Sequence, residues 1–228
     1  MTQLNNNPTF PPNSIADYSY EVNPQAIEKE SFRQIRQLTP LDHLTLEQQQ
    51  VVMRIVHSIG MPEVSAKIRF SAKACQHGLQ AIADQASILC DVEMVKQGIT
   101  KRMNQQKTLC LLNDPRVAPL AKERGETRTM AALQFWQTDL ANSIVLIGNA
   151  PTALFRLLEM IKQGADKPAL IIGMPVGFVG AAESKQALWD CHQQLGIECI
   201  TLLGNQGGSA VTSASLNALF RCANGEIY

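Results

Sequence analysis

From residue 87 onward the chain alternates short, uniformly apolar runs with longer stretches of helical periodicity. The apolar runs are 87–92, 108–112, 144–148, 169–173 and 199–203. Helical stretches are expected over 115–124, 128–140, 151–163, 180–195 and 209–221. Strand, helix, strand in this rhythm signals βαβ units. Runs this short and unbroken suit strands of a parallel sheet covered on both faces. Upstream, charged and apolar residues by turns over 23–38 predict an amphipathic helix. Thr45 with Gln48 three residues later has the capping-box pattern. It opens a second helix, carrying Val52 and Val56, that stops near Gly60-Met61-Pro62. A further helix is expected over 71–86. No internal repeat or linker follows residue 20, so one domain is expected over 18–228. A flexible tail is expected over 1–17, where Asn5-Asn6-Asn7 and three prolines stand in a polar setting.

In an α/β sheet of this kind ligands bind beyond the carboxyl ends of the strands. The segments leaving those ends are 91–94, 113–116, 148–152, 173–180 and 204–209. Three of the five are Gly-rich or open a helix with Pro or Ser. Gly lets backbone approach a ligand closely, and free helix N–H groups bind anions. Gly177, Gly208 and Ser209 are the candidate contacts on this edge. Ordinary strand-to-helix turns would have the same composition. GxxxxGK[ST], GxGxxG and GxSxG are absent, which counts against an ATPase, a dinucleotide oxidoreductase and a serine hydrolase.

Composition narrows the partner. The chain is 45% hydrophobic and 18% charged, a globular balance. Twenty Lys and Arg offset twenty Asp and Glu, which argues against a broad nucleic-acid or membrane surface but leaves an anionic small molecule open. The six cysteines form no CxxC pair, and Cys90, Cys110 and Cys199 sit inside strand-like runs. They read as small buried hydrophobes in a reducing, cytoplasmic setting. No apolar stretch approaches the ~20 residues of a membrane span, and the N-terminal segment lacks the apolar centre of a secretion signal. No metal-ligand spacing is present, so a protein-bound metal is not expected.

One histidine stands in a suggestive pattern. At about 100° per residue, Val52, Ile55, Val56 and Ile59 share one face of their helix, while Arg54 and His57 lie three apart on the other. A cation beside a titratable imidazole suits an anionic ligand that must also be protonated. A solvated polar face would have the same spacing. His43, His77 and His192 have no such partner and are expected at the surface.

Three segments carry a resemblance. They are Gly148-Asn149-Ala150-Pro151-Thr152-Ala153-Leu154-Phe155 with Leu157-Leu158-Glu159; Pro175-Val176-Gly177-Phe178-Val179-Gly180-Ala181-Ala182-Glu183-Ser184-Lys185; and Gly207-Gly208-Ser209-Ala210 leading to Leu216-Asn217-Ala218-Leu219. Asp114-Pro115-Arg116, Thr127-Arg128, Ser31-Phe32 and Arg54 with Val56-His57 support them. Over about residues 18–221 the chain resembles the precorrin-8X methylmutase family, whose members also act on cobalt-precorrin-8.

The resemblance implies a single three-layer α/β/α domain around a mostly parallel sheet of about five strands. It implies an isomerase of cobalamin biosynthesis that moves a methyl group from C-11 to C-12 of the macrocycle by a 1,5-sigmatropic shift. The product would be hydrogenobyrinate, or cobyrinate when cobalt is present. It implies a homodimer with its pocket near the subunit interface, and no cofactor. Carried over by position, His57 is the catalytic residue, Ser31 and Arg54 contact substrate, and Arg116 and Arg128 are carboxylate contacts. The chain departs from the family pattern at Met61, where a small polar or acidic residue is common, and at Asn205, where a basic one is common. Two rival readings remain: a corrinoid-binding carrier without chemistry, and a phosphate- or nucleotide-binding α/β enzyme using the same Gly-rich edge.

Overall fold

Each apolar run forms a strand, and a sixth strand joins them. The strands are β1 (Ile68–Phe70), β2 (Ile88–Cys90), β3 (Thr108–Leu109), β4 (Ile144–Ile147), β5 (Leu170–Gly173) and β6 (Cys199–Leu202), in the sheet order β1-β6-β5-β4-β2-β3. The computed structural model describes residue 18 and residues 20–228, so the tail expected over 1–17 lies outside the described residues. All pairings among β2–β6 are parallel, whereas β1 runs antiparallel to β6, with Arg69 opposite Thr201. The expected five strands become six because β1 is a three-residue edge strand lacking an apolar run.

Alternate strand residues enter two cores, as the two-residue period of a strand requires. Ile88, Cys90, Ile144, Leu146, Leu170, Ile172, Ile200 and Leu202 face one; Leu89, Val145, Ile147, Ile171 and Cys199 face the other. The first core is shared with α1 (Pro24–Leu38), α2 (Leu46–Ile59), α3 (Ala74–Ala83), α4 (Glu93–Gly98) and α10 (Ser209–Ala223). The second is shared with α8 (Pro151–Lys162), α9 (Ala181–Leu195) and the segment 133–140. Helices α5 (Val117–Arg124) and α6 (Arg128–Ala132) share a small cluster of their own, in which Val117 and Ala131 are fully buried. Among the described residues no helix is long and apolar enough to cross a membrane.

Local chemistry explains the helix that matters most. The Thr45 side chain accepts from the Gln48 amide, the Gln48 side chain accepts from the Thr45 amide, and the left-handed Gly60 (φ 75°) ends α2. The helix expected over 128–140 is not continuous. It breaks into α6, a 3-10 turn over Leu133–Trp136 and α7 (Gln137–Leu140). The tighter turn brings residues three apart into line, and both Leu133 and Trp136 are buried. The helix expected over 71–86 is shorter, and α4 occupies a segment read as a loop.

The strand order reverses around β2, which pairs with β3 on one side and β4 on the other. The crevice used for ligands in open α/β sheets lies at such a point.

Candidate functional site

Helices α1 and α2 bring the residues singled out on each into one cluster. Ser31 Oγ lies 3.0 Å from His57 Nδ1. Phe32, the buried neighbour of Ser31, stacks on the His57 ring with centroids 5.1 Å apart and planes 20° from parallel. The Arg54 guanidinium stands 5.0 Å from the centroid of the same phenyl ring. The expectation that Arg54 and His57 share a face is met, and Phe32 is the surface that both lie against.

His57 is exposed at the end of its helix. Burial of part of the ring and the neighbouring Arg54 charge hold its pKa below the ordinary histidine value, and Glu28 opposes them. A Ser31 hydroxyl that donates to Nδ1 places the proton of the neutral imidazole on Nε2. Nε2 is then the nitrogen that can meet a ligand. Arg54 is two-sided: it donates to Glu28 Oε1 at 3.2 Å and also contacts the Tyr228 hydroxyl. Sequence reasoning missed Glu28 and Tyr228, whose mutual hydrogen bond (2.6 Å) joins residues 200 apart in the chain.

A series of contacts runs along the carboxyl edge of the sheet toward the end of α2. Thr127 Oγ1, the N-cap of α6, lies 2.9 Å from Thr152 Oγ1 in the first turn of α8. A Cβ placed on Gly180 would sit 3.4 Å from Pro151 Cβ, so the loop before α9 lies against the start of α8. The Gly177 amide donates to the Asn205 carbonyl (3.2 Å). The Gln206 side chain then donates to Met61 Sδ (3.5 Å), just past the helix that carries His57. Met61 and Asn205, the two departures from the family pattern, are therefore both joints of this edge.

The other expected contacts fall along the same edge, apart from His57. Arg128 Nη2 donates to Asn113 Oδ1 (2.8 Å), and exposed Arg116 is paired with Asp114 (2.8 Å) over the Phe135 ring. Gly177 and Gly208 have φ of 147° and 119°, backbone that favours glycine. Their amides are engaged within the loops, that of Gly208 with the Met174 carbonyl (2.8 Å). They set loop shape, and Gly207 does so more strictly, because a Cβ there would run into the Met174 carbonyl. Ser209 is buried, its Cα 3.0 Å from where a Cβ on Gly148 would stand.

Two buried charges were not anticipated. Asp91, at the end of β2, accepts from the amides of Gly148 (3.1 Å), Asn149 (2.8 Å) and Ala150 (2.9 Å). Burial pushes its carboxyl above the ordinary carboxylate value, and these donors oppose the rise. The start of α8, one of the expected anion sites, is thus filled by the protein's own carboxylate. Lys185 is fully buried and donates to the Gln206 carbonyl (2.5 Å); desolvation lowers its pKa from 10.5 to about 8. His192, expected at the surface, is instead buried against Trp189, with Nδ1 2.5 Å from the Trp189 carbonyl. The turn of helix separating the two residues brings the ring back over its own backbone.

A hollow of about 480 Å³ adjoins the His57 cluster and is lined by Glu28, Phe32, Arg36, Ile227 and Tyr228, among others. One of about 560 Å³ at the opposite edge, around His77, Asp84, Lys167 and Glu198, contains none of the expected site residues.

The family model described as precorrin-8X methylmutase matches residues 26–222. A precorrin-8X methylmutase of a Sinorhizobium species is 45% identical over 209 residues, spanning 91% of this chain and 99% of that protein. A cobalt-precorrin-8 methylmutase of Methanocaldococcus jannaschii is 37% identical over 176 residues, 77% of this chain and 80% of that protein. The crystal structure of a precorrin-8X methyl mutase from Thermus thermophilus is similar at a TM-score of 0.79 and 37% identity, covering 90% of this chain and 98% of that one.

Proposed function

The chain belongs to the precorrin-8X methylmutase family, and we propose that it is an isomerase of cobalamin biosynthesis that moves a methyl group within the corrin precursor macrocycle. The observation that carries this reading is the Ser31–His57 pair with Arg54 beside it. The substrate is a flat ring edged with carboxylates. Arg54 matches a carboxylate in charge and geometry. A histidine whose pKa is held down by burial and a neighbouring cation gives up its proton readily. His57 thus serves as the acid that protonates the ring system as the methyl moves, a contribution of about 10²–10⁴-fold. Orientation of the ring accounts for the remainder. Substrate and product are isomers, so the reaction has no net electron donor or methyl donor.

Arg116, Arg128 and the loops shaped by Gly177 and Gly208 extend the carboxylate-binding edge, and Ser209 begins the helix behind it. The first turn of α10 has no side-chain cap, which leaves amides there for an anion. Val176, Phe178 and Val179 are 47%, 93% and 90% exposed on that edge, an apolar surface that fits a ring face and a second copy of the chain in a homodimer. Six free cysteines suit the reducing cytoplasm. The domain is taken as residues 18–228, with a free tetrapyrrole rather than a nucleic acid or membrane as partner.

The test is incubation of dialysed protein with precorrin-8X and, separately, cobalt-precorrin-8, followed by absorbance. Conversion in buffer alone is expected. Binding without conversion would support the carrier reading, and the absence of both would overturn the corrinoid assignment.

A further inference from the structure

Tyr228 lies beyond residues 26–222, the part matched by the family model, yet it is held from three helices. From α1, Arg36 Nη2 donates to its carbonyl (2.8 Å), and Phe32 lies under its ring with centroids 3.5 Å apart and planes 3° from parallel. From α2, Gln50 Oε1 accepts from its amide (2.9 Å). From α10, the Arg221 guanidinium stands 4.4 Å from its ring centroid. Phe32 is also the ring against which His57 stacks.

The hydroxyl of Tyr228 sits at the charge centre of this arrangement. It donates to Glu28 Oε1 at 2.6 Å and contacts Arg54 Nη2. Arg54 and Arg221 approach the same Glu28 oxygen at 3.2 and 3.6 Å. Arg221 also pairs with Glu226 (3.4 Å), whereas Glu28 is the carboxylate on which Arg54 rests, beside His57. The buried Nε atoms of both arginines have no hydrogen-bond partner. Without the Tyr228 hydroxyl the Arg54 head would keep the 3.2 Å contact to Glu28 as its one hydrogen bond, and fixing a long side chain on binding costs conformational entropy. A hydroxyl that bridges Glu28 and Arg54 removes that freedom beforehand.

We propose that Tyr228 is a positioning residue for the substrate: by bridging Glu28 and Arg54 it fixes the Arg54 guanidinium to receive a carboxylate of the macrocycle next to His57. The inference rests on the corrinoid reading above, and the experiment separates the two. Tyr228→Phe keeps the ring stack and removes only the hydroxyl. Affinity for hydrogenobyrinate and KM for precorrin-8X are measured for the wild type, Tyr228→Phe, Arg54→Ala and the double variant, with thermal unfolding of each.

Expected is a roughly 3–10-fold weaker Kd and higher KM in Tyr228→Phe, with the loss falling on KM rather than kcat. No further weakening should appear when the change is made in Arg54→Ala. A purely structural role for Tyr228 would lower the thermal transition and leave the KM-against-kcat split unmoved. Wild-type affinity in Tyr228→Phe, or an equal loss in the Arg54→Ala background, overturns the positioning role. A wild-type protein that neither binds nor converts the corrinoid overturns the functional reading instead.

Discussion

Ser31 Oγ and His57 Nδ1 stand 3.0 Å apart, although one belongs to α1 and the other to α2. A contact there holds the imidazole in place and, where the hydroxyl donates, puts the proton of the neutral ring on Nε2. His57→Ala should therefore still bind the macrocycle while turnover falls by about 10²-fold or more. Ser31→Ala should cost less, because the ring remains and only its orientation is lost. Single-turnover absorbance measurements on both variants check the order, and near-wild-type turnover in His57→Ala would remove it from the mechanism.

The pH profile has a definite sign. An acid must be protonated to act, so turnover should fall as pH rises through the pKa of His57. Burial and the Arg54 charge depress that value. Replacing Arg54 with Gln removes the second cause, so the falling limb should move to higher pH even as KM rises. A limb that stays in place or moves to lower pH contradicts the coupling between Arg54 and His57.

Asp91 serves the fold. Its carboxylate satisfies three amides at the start of α8. Asp91→Ala leaves the buried amides of Gly148 and Ala150 unpaired, each a loss of about 1–3 kcal/mol, and frees the part-buried Asn149 amide as well, so unfolding free energy should drop by on the order of 3 kcal/mol. Asp91→Asn, which retains one acceptor oxygen, should be milder. Denaturant unfolding of the two variants decides it.

Lys185 should leave a pH signature in stability. Its pKa is lowered from 10.5 to about 8 in the folded protein. Between those values the unfolded chain carries a proton that the folded chain does not, so stability rises with pH across that window. The stability difference between wild type and Lys185→Met should shift in favour of the wild type from about pH 8 to 10.5, by on the order of 3 kcal/mol in total. A pH-independent difference would show that Lys185 keeps an ordinary pKa.

Periodicity made the five parallel strands and most of the helices readable, because a strand buried on both faces has an unbroken apolar run. It passed over β1, whose Ile68-Arg69-Phe70 is too short to show a pattern and is recognisable only by its pairing with β6. Arg54 and His57 were readable as a pair because helical spacing alone puts them on one face. Glu28 and Tyr228 were not, since a bond between residues 200 apart depends on how α1, α2 and α10 meet. The start of α8 was misread for a related reason. Its free amides were visible in Gly148-Asn149-Ala150, and so was the strand that leads into Asp91, but not that the two strands lie side by side, and the resulting hydrogen bonds close a site that the sequence leaves open.

That internal carboxylate also bears on selectivity inside a cell. Phosphorylated metabolites and nucleotides are abundant there, and a helix start at a strand-order reversal is where many α/β proteins hold them. The Asp91 carboxyl oxygens occupy that position and leave the amides of residues 148–150 no vacancy. A phosphate at this crevice finds none of these three amides free, so inorganic phosphate or ATP should compete weakly with the macrocycle for this part of the edge.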